Sequence, residues 1–378
     1  MTILDLAEEF FGFDGGIYLN CATQGPLPRV AAAAVERALE LKKNPALIRD
    51  GDYFDLPDAY RREAAEILSC REEDVAIADS ATHGMMLLVN GLDWRSGDEV
   101  IIARGEFPSN RFPWLSLEAR GVQVKEVRIP PGAAGAEAVE REMTGRTRVV
   151  AASWVSYSTG LRLDLESLGR LCRERGVLFA ADGSQGVGGL SLDLSHPPCD
   201  LLSCAGYKWL LGPYGLGLVY VAPELVERLA LGNVNWFAIK GARDFNRLSH
   251  CRLEMEPGAR RFDVNETASF LNIAAGTASL RLLRQVGVAA AEAHTRRLLD
   301  RVIQELPEGF RVASDLAEEA RSNLLFISAG SDEETAQVYR RLVDQRIFVA
   351  QREGSVRISP FIYNTDADID CLLDSLRG

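Results

Sequence analysis

Gly176-Val177-Leu178-Phe179-Ala180-Ala181-Asp182-Gly183-Ser184-Gln185 is the stretch on which the fold turns. An unbroken apolar run that ends in an acid followed at once by glycine predicts a parallel strand buried on both faces, with its carboxylate delivered at the C-terminal edge. That edge is where open α/β sheets bind ligands. Further along, a second apolar run, Asp200-Leu201-Leu202-Ser203-Cys204-Ala205, leads into Gly206-Tyr207-Lys208-Trp209 and a Gly/Pro-rich turn. Taken alone, Lys208 is either a chance surface charge or an amine in a partly dry pocket, where its pKa falls and it can attack a carbonyl.

The pairing of the two stretches favours the pocket. Pyridoxal 5'-phosphate needs a lysine for its Schiff base and an anion beside its ring nitrogen, and Lys208 and Asp182 supply those groups from adjacent strand ends. Asp182-Gly183-Ser184-Gln185 and Gly206-Tyr207-Lys208-Trp209 resemble the cofactor motifs of class V aminotransferases, the fold-type-I group that includes cysteine desulfurases, kynureninase and isopenicillin N epimerase-like proteins. The resemblance implies an α/β fold: a large domain with a mostly parallel seven-stranded sheet between helices, plus a smaller C-terminal α+β domain. The expected division is an N-terminal helical segment over 1–14, a pyridoxal-phosphate-binding domain over 15–260, a linker helix over 261–286 and the small domain over 287–378. It also implies a homodimer with active sites near the interface.

Composition agrees with a small-molecule enzyme. The 378 residues are 47% hydrophobic and 25% charged, an ordinary soluble composition. A net charge of −12 sets the surface against a phosphate backbone, so no nucleic-acid partner is expected. Seven cysteines without CxxC spacing signal neither a disulfide framework nor a zinc site. The acidic N-terminus lacks a basic-then-apolar leader and no run approaches membrane-spanning length, which makes the cytoplasm the expected location and a membrane partner unexpected.

Several loops add candidates. Asp79-Ser80-Ala81-Thr82-His83-Gly84 lies between a short apolar strand and a helix, and small polar residues opening a helix leave N–H groups free to seat a phosphate. Simple N-capping by Ser80 or Thr82 is the plainer alternative. The resemblance tips the balance, because the family holds the cofactor phosphate at this turn; Ala81, Thr82 and His83 become phosphate-side candidates. Phe107 matches the position whose ring stacks on the pyridine, where desulfurases carry a histidine; a phenyl ring stacks but carries no proton. By the same matching Tyr157 occupies the place of an asparagine near the ring hydroxyl. Ser184 and Gln185 follow Asp182 at the cofactor, and Gln185 is placed to meet the phenolic oxygen.

Tyr207 stands where desulfurases have a phosphate-binding histidine, and Ala205 where they have serine. Thr267 is the stand-in for a threonine that reaches the partner subunit's phosphate. Tyr18-Leu19-Asn20-Cys21-Ala22-Thr23-Gln24-Gly25-Pro26 resembles a loop laid over the active site, which makes Asn20 and Thr23 substrate-side candidates. Val356-Arg357-Ile358-Ser359-Pro360 resembles the family's C-terminal signature, and Arg357 then grips a substrate carboxylate with a planar, bidentate guanidinium.

With Lys208 as the base and acid that moves the Cα proton and Asp182 as the ring-nitrogen partner, the motifs suit a small amino-acid substrate. An aminotransferase is the first expectation, and an epimerase or a C–S or C–C lyase the second. A persulfide-forming desulfurase is disfavoured, since residues 351–356 contain no cysteine. A catalytically silent binding module of the same fold is the non-enzyme alternative; a scaffold would need neither Lys208 nor Asp182.

Overall fold

The computed structural model describes residues 3–232, 234–267 and 269–378. The first two residues of the expected N-terminal segment lie outside the described residues. Within the rest of that segment Ile3–Glu9 is helical, as a 3-10 helix. Strand β1 (Ile17–Tyr18) follows, then helices α1 (Arg29–Lys43) and α2 (Asp52–Leu68).

The centre is a seven-stranded sheet built from β2 (Val75–Ala78), β3 (Glu99–Ala103), β4 (Gln123–Val127), β5 (Thr147–Ser153), β6 (Leu178–Asp182), β7 (Leu201–Ala205) and β8 (Gly217–Val221). Its order is β2-β8-β7-β6-β5-β3-β4. All neighbours pair parallel except β8, which runs antiparallel to both β2 and β7. Every residue of β6, β7 and β8 is buried, the pattern of strands covered by helices on both faces. Side chains such as Trp114, Trp209 and Tyr220 are at most 1% exposed. Burial of each large apolar group contributes about 1.5–3 kcal/mol.

The sequence between β5 and β6 explains its own helix. Asp164 accepts a hydrogen bond from the Ser167 amide at 3.0 Å, which caps Leu165–Arg175, and Gly176 at φ 66° ends that helix in the left-handed conformation only glycine adopts freely.

A second core lies in the C-terminal part, where Leu298, Ile327, Leu342, Ile358 and Leu372 pack together. Its sheet joins β9 (Arg311–Val312), β10 (Leu325–Ser328), β12 (Ala350–Arg352) and β13 (Ser355–Ile358) in the antiparallel order β12-β13-β10-β9. Just before β12, β11 (Ile347–Phe348) pairs parallel with β1, so the N-terminal segment is stitched to this second core. Leu19 belongs to that core too. The helix Phe270–Val286 packs against α1 and α2 and runs on, through Gly287, into Val288–Gln304. Asp366–Arg377 ends the chain behind a capping box made by Thr365 and Asp368.

Candidate active site

Strands β6 and β7 are parallel neighbours, so Asp182 at the end of one and Lys208 just beyond the end of the other emerge on the same edge. Asp182 is 5% exposed and Lys208 8%. The turn after β7 folds back on itself, with Leu211 N–H donating to the Lys208 carbonyl at 3.1 Å and Gly212 N–H to the Gly206 carbonyl at 2.9 Å. Leu211 takes φ 55°, a left-handed conformation unusual for leucine, and its carbonyl is held by Ser279 Oγ at 2.7 Å. That backbone is locked, and it fixes where the lysine leaves the sheet.

The two groups line one cleft of about 210 Å³. Its wall also carries Ala81, Thr82, Phe107, Tyr157, Ser184, Gln185 and Tyr207, all of them expected from the sequence. Phe107 meets Tyr157 edge to face, with ring centroids 5.1 Å apart at 79°, and Lys208 Nζ lies 5.6 Å from the Phe107 centroid. Burial pushes the Lys208 ammonium below its ordinary pKa; Asp182 opposes that shift and Arg357 adds to it. The amine is thereby biased towards its neutral, nucleophilic form.

Five expected residues do not line this cleft: Asn20, Thr23 and Arg357, which form a cluster of their own, and His83 and Thr267. His83 is turned away, its Nε2 2.8 Å from the Phe262 carbonyl oxygen. Thr267 is 3% exposed, packed inside its own subunit.

Helix α3 (Ala81–Gly91) begins at the cleft without a side-chain cap. Ser80 Oγ instead donates to Asp79 Oδ1 at 2.7 Å, so the plainer capping alternative fails. The helix start is pulled against the sheet by Ser203 Oγ, which donates to the Ala81 carbonyl at 2.8 Å, and Gly84 permits the approach because a Cβ there would collide with Ser203. The first-turn N–H groups and the positive end of the helix dipole therefore face the cleft, an anion seat.

Ser184 and Gln185 do more than line the wall. Ser184 N–H donates to Asp182 Oδ1 at 2.9 Å and Ser184 Oγ accepts from Ala205 N–H at 3.1 Å, tying the two strand ends together. Gln185 Nε2 donates to the Ala22 carbonyl at 2.9 Å, while its Oε1 accepts from Trp209 Nε1 at 3.1 Å. One amide hydrogen of Gln185 remains for a ligand.

Arg357 is 1% exposed, and its guanidinium donates to the Tyr157 carbonyl at 3.1 Å, Thr23 Oγ1 at 2.6 Å and Asn20 Oδ1 at 3.4 Å. No carboxylate lies within ion-pair distance of it among the described residues, and its Nε is a buried donor without a partner. Burial, then the neighbouring Arg352, pushes its pKa down to about 10. An anionic ligand group is what this guanidinium lacks.

Cys21 lies beside the site, its Sγ 3.7 Å from the Lys208 carbonyl oxygen, but burial pushes its thiol pKa up, away from the reactive thiolate. Among the described residues no group of three or more His, Cys, Asp or Glu side chains is arranged to hold a metal.

Sequence reasoning missed Glu106. It is 7% exposed, its carboxylate accepts from Ser153 N–H at 2.6 Å and from Ser153 Oγ, and Ser153 pairs directly with Asp182 across β5 and β6. Burial raises its pKa to about 7, and the charge of Asp182 pushes the same way. The only sequence signal is an acid one residue before the aromatic that follows a buried strand. Tyr214 was also passed over; it lines the cleft while 71% exposed.

The expected cofactor fits what is present: a buried amine beside a buried carboxylate, a ring to cover one face and an uncapped helix start for a phosphate. Comparisons with known proteins agree. Isopenicillin N epimerase of Streptomyces clavuligerus is 29% identical over 95% of this chain and 94% of its own length. The cystine C-S lyase C-DES, solved with cysteine persulfide, superposes with a TM-score of 0.83 at 23% identity over 99% of both chains. A cysteine desulfurase of Thermococcus onnurineus NA1 superposes with a TM-score of 0.85 at 18% identity over 99% of this chain and 97% of that one, and such likeness fixes the architecture as fold type I. The sequence model described as Aminotransferase class-V matches residues 49–372. The chain belongs to the class V aminotransferase family, with pyridoxal 5'-phosphate as its cofactor.

Proposed function

We propose that the protein is an aminotransferase acting on a small amino acid. The observation that carries this reading is that Lys208 is the one basic side chain on the cleft wall among the described residues. Transamination needs a single acid-base group working on one face to move the substrate's Cα proton, and the Lys208 amine would be that group. The bound cofactor supplies an electron-withdrawing ring that acidifies Cα. Asp182 keeps the ring nitrogen protonated, Phe107 covers the ring, the start of α3 holds the phosphate, and Arg357, steadied by Asn20 and Thr23, orients the α-carboxylate. Phe107 has no proton to give, which separates this cleft from one that needs a second base.

Epimerisation is the second reading, favoured by the near full-length likeness to isopenicillin N epimerase. It requires a proton donor on the opposite face, and in this chain that donor would be a tyrosine. A homodimer is part of the proposal: Tyr214 and Trp236, 71% and 38% exposed, are aromatic surface that a second copy would cover.

The test is to purify the protein with its yellow chromophore, fix it with borohydride and locate the modified peptide at Lys208, then incubate with an amino acid and a 2-oxo acid. The expected product is the keto acid of the donor, and Lys208→Ala lowers its formation by at least about a hundredfold. Inverted substrate without keto acid would establish the epimerase. Unchanged turnover in Lys208→Ala would overturn both.

A further inference from the structure

The hairpin that carries Arg357 carries a second arginine on the same face. In the β12–β13 register Ala350 lies opposite Arg357 and Arg352 opposite Ser355, and alternate residues of a strand share a face, so Arg352 and Arg357 stand on one side of the hairpin two positions apart. Arg352 is half-buried. Its Nη1 donates to the carbonyl of its own neighbour Gln351 at 2.7 Å, and no carboxylate lies within ion-pair distance of it among the described residues.

Arg260 holds Asp58, Arg261 holds Glu227 and Arg321 holds Asp300, while Arg162 and Arg341, also half-buried, bond only to backbone carbonyls; Arg352 is set apart by standing on the face of Arg357. The adjacent acid, Glu353, lines a second cleft that Tyr157 also borders and makes no ion pair with Arg352. The field of Arg352 reaches both Arg357 and Lys208, disfavouring the charged form of each. Two guanidiniums without a counter-ion thus stand together near Lys208, and one substrate α-carboxylate answers only Arg357. The arrangement is short of one more anion.

We propose that Arg352 is a specificity-determining residue that receives a second carboxylate, so that the substrate is an acidic, dicarboxylic amino acid. This rests on the proposed amino-acid chemistry at Lys208 and narrows it. The α-carboxylate takes Arg357 in the depth of the site, and the side-chain carboxylate reaches Arg352 nearer the mouth. A charge-assisted, planar pairing of that kind improves affinity by about tenfold or more.

The test is spectral titration of the full-length holoenzyme, reading the dissociation constant from the chromophore shift rather than from turnover. L-aspartate, L-glutamate and L-2-aminoadipate are compared with L-alanine and L-norvaline. The expected result is at least about tenfold tighter binding of one or more diacids, lost in Arg352→Gln, partly kept in Arg352→Lys, with the monocarboxylic constants unchanged in both variants. Equal affinity for both classes in the native protein, or an equal loss of both in Arg352→Gln, would overturn the assignment. If no amino acid of either class shifts the spectrum, the amino-acid reading of the site falls and the assignment with it. Shifts without preference sink the assignment alone.

Discussion

Two arginines are buried to the same degree and could hardly be more differently placed. Arg61 has a side chain 3% exposed and grips Asp263, itself 2% exposed, through Nη1 at 3.2 Å and Nη2 at 2.8 Å. Asp263 also accepts from Ile77 N–H at 2.8 Å, so the pair anchors β2. Arg357 has three neutral acceptors and no counter-ion. Burial acts to lower both pKa values, but Asp263 outweighs it and holds Arg61 above its usual value, whereas Arg357 is left at about 10. A buried cation with its anion belongs to the architecture; one without it is waiting for a ligand.

The contrast breaks first under Arg61→Ala. Leaving Asp263 buried and unpaired costs about 3–5 kcal/mol, read as a lowered urea midpoint, while Arg357→Met, which removes an uncompensated charge, changes stability by no more than about 1 kcal/mol. A comparable loss in both variants would erase the distinction.

Glu106 extends the comparison to an anion without a cation. Its folded pKa of about 7 lies above the ordinary carboxylate value of 4.5, so the folded chain binds the proton more tightly than the unfolded one. Its contribution to stability is complete below the unfolded value and is lost as pH rises through 7. Stability measured by denaturant at pH 4 and pH 8 therefore falls with rising pH by on the order of 3 kcal/mol more in the native protein than in Glu106→Gln. Parallel pH profiles would show that the carboxyl titrates normally.

The smallest effect contrasts two helix starts. Ser80→Ala leaves stability within about 0.5 kcal/mol, because Ser80 caps nothing, whereas Asp164→Ala costs about 1 kcal/mol through the lost bond to Ser167. Thermal midpoints of the two variants decide it.

These distinctions mark what a sequence can and cannot convey. The runs that became β6 and β7 announced themselves by unbroken apolar character, and Asp182 and Lys208 by their place at the ends of such runs. The 3-10 geometry of the N-terminal helix, the bond of Ser80 to Asp79 and the turn of His83 towards the Phe262 carbonyl were not legible, because each depends on which group occupies the space. Glu106 and Arg352 look like any other charged residue in the chain. What marks them is the lack of a counter-ion beside the site, a property of the folded surroundings.

The segment from Leu19 to Gly25 has a further consequence. Its Gly25 N–H donates to the Tyr207 carbonyl at 2.8 Å, in a space where any Cβ would strike the Lys208 carbonyl; its Asn20 and Thr23 meet Arg357; and Ala22 N–H donates to Ser359 Oγ at 3.2 Å. The stretch recognised by family matching starts only at residue 49. A unit excised at that border would keep its reactive amine and its carboxylate grip yet lose the seam between them, because the two halves of the chemistry are sewn together by residues the border leaves behind.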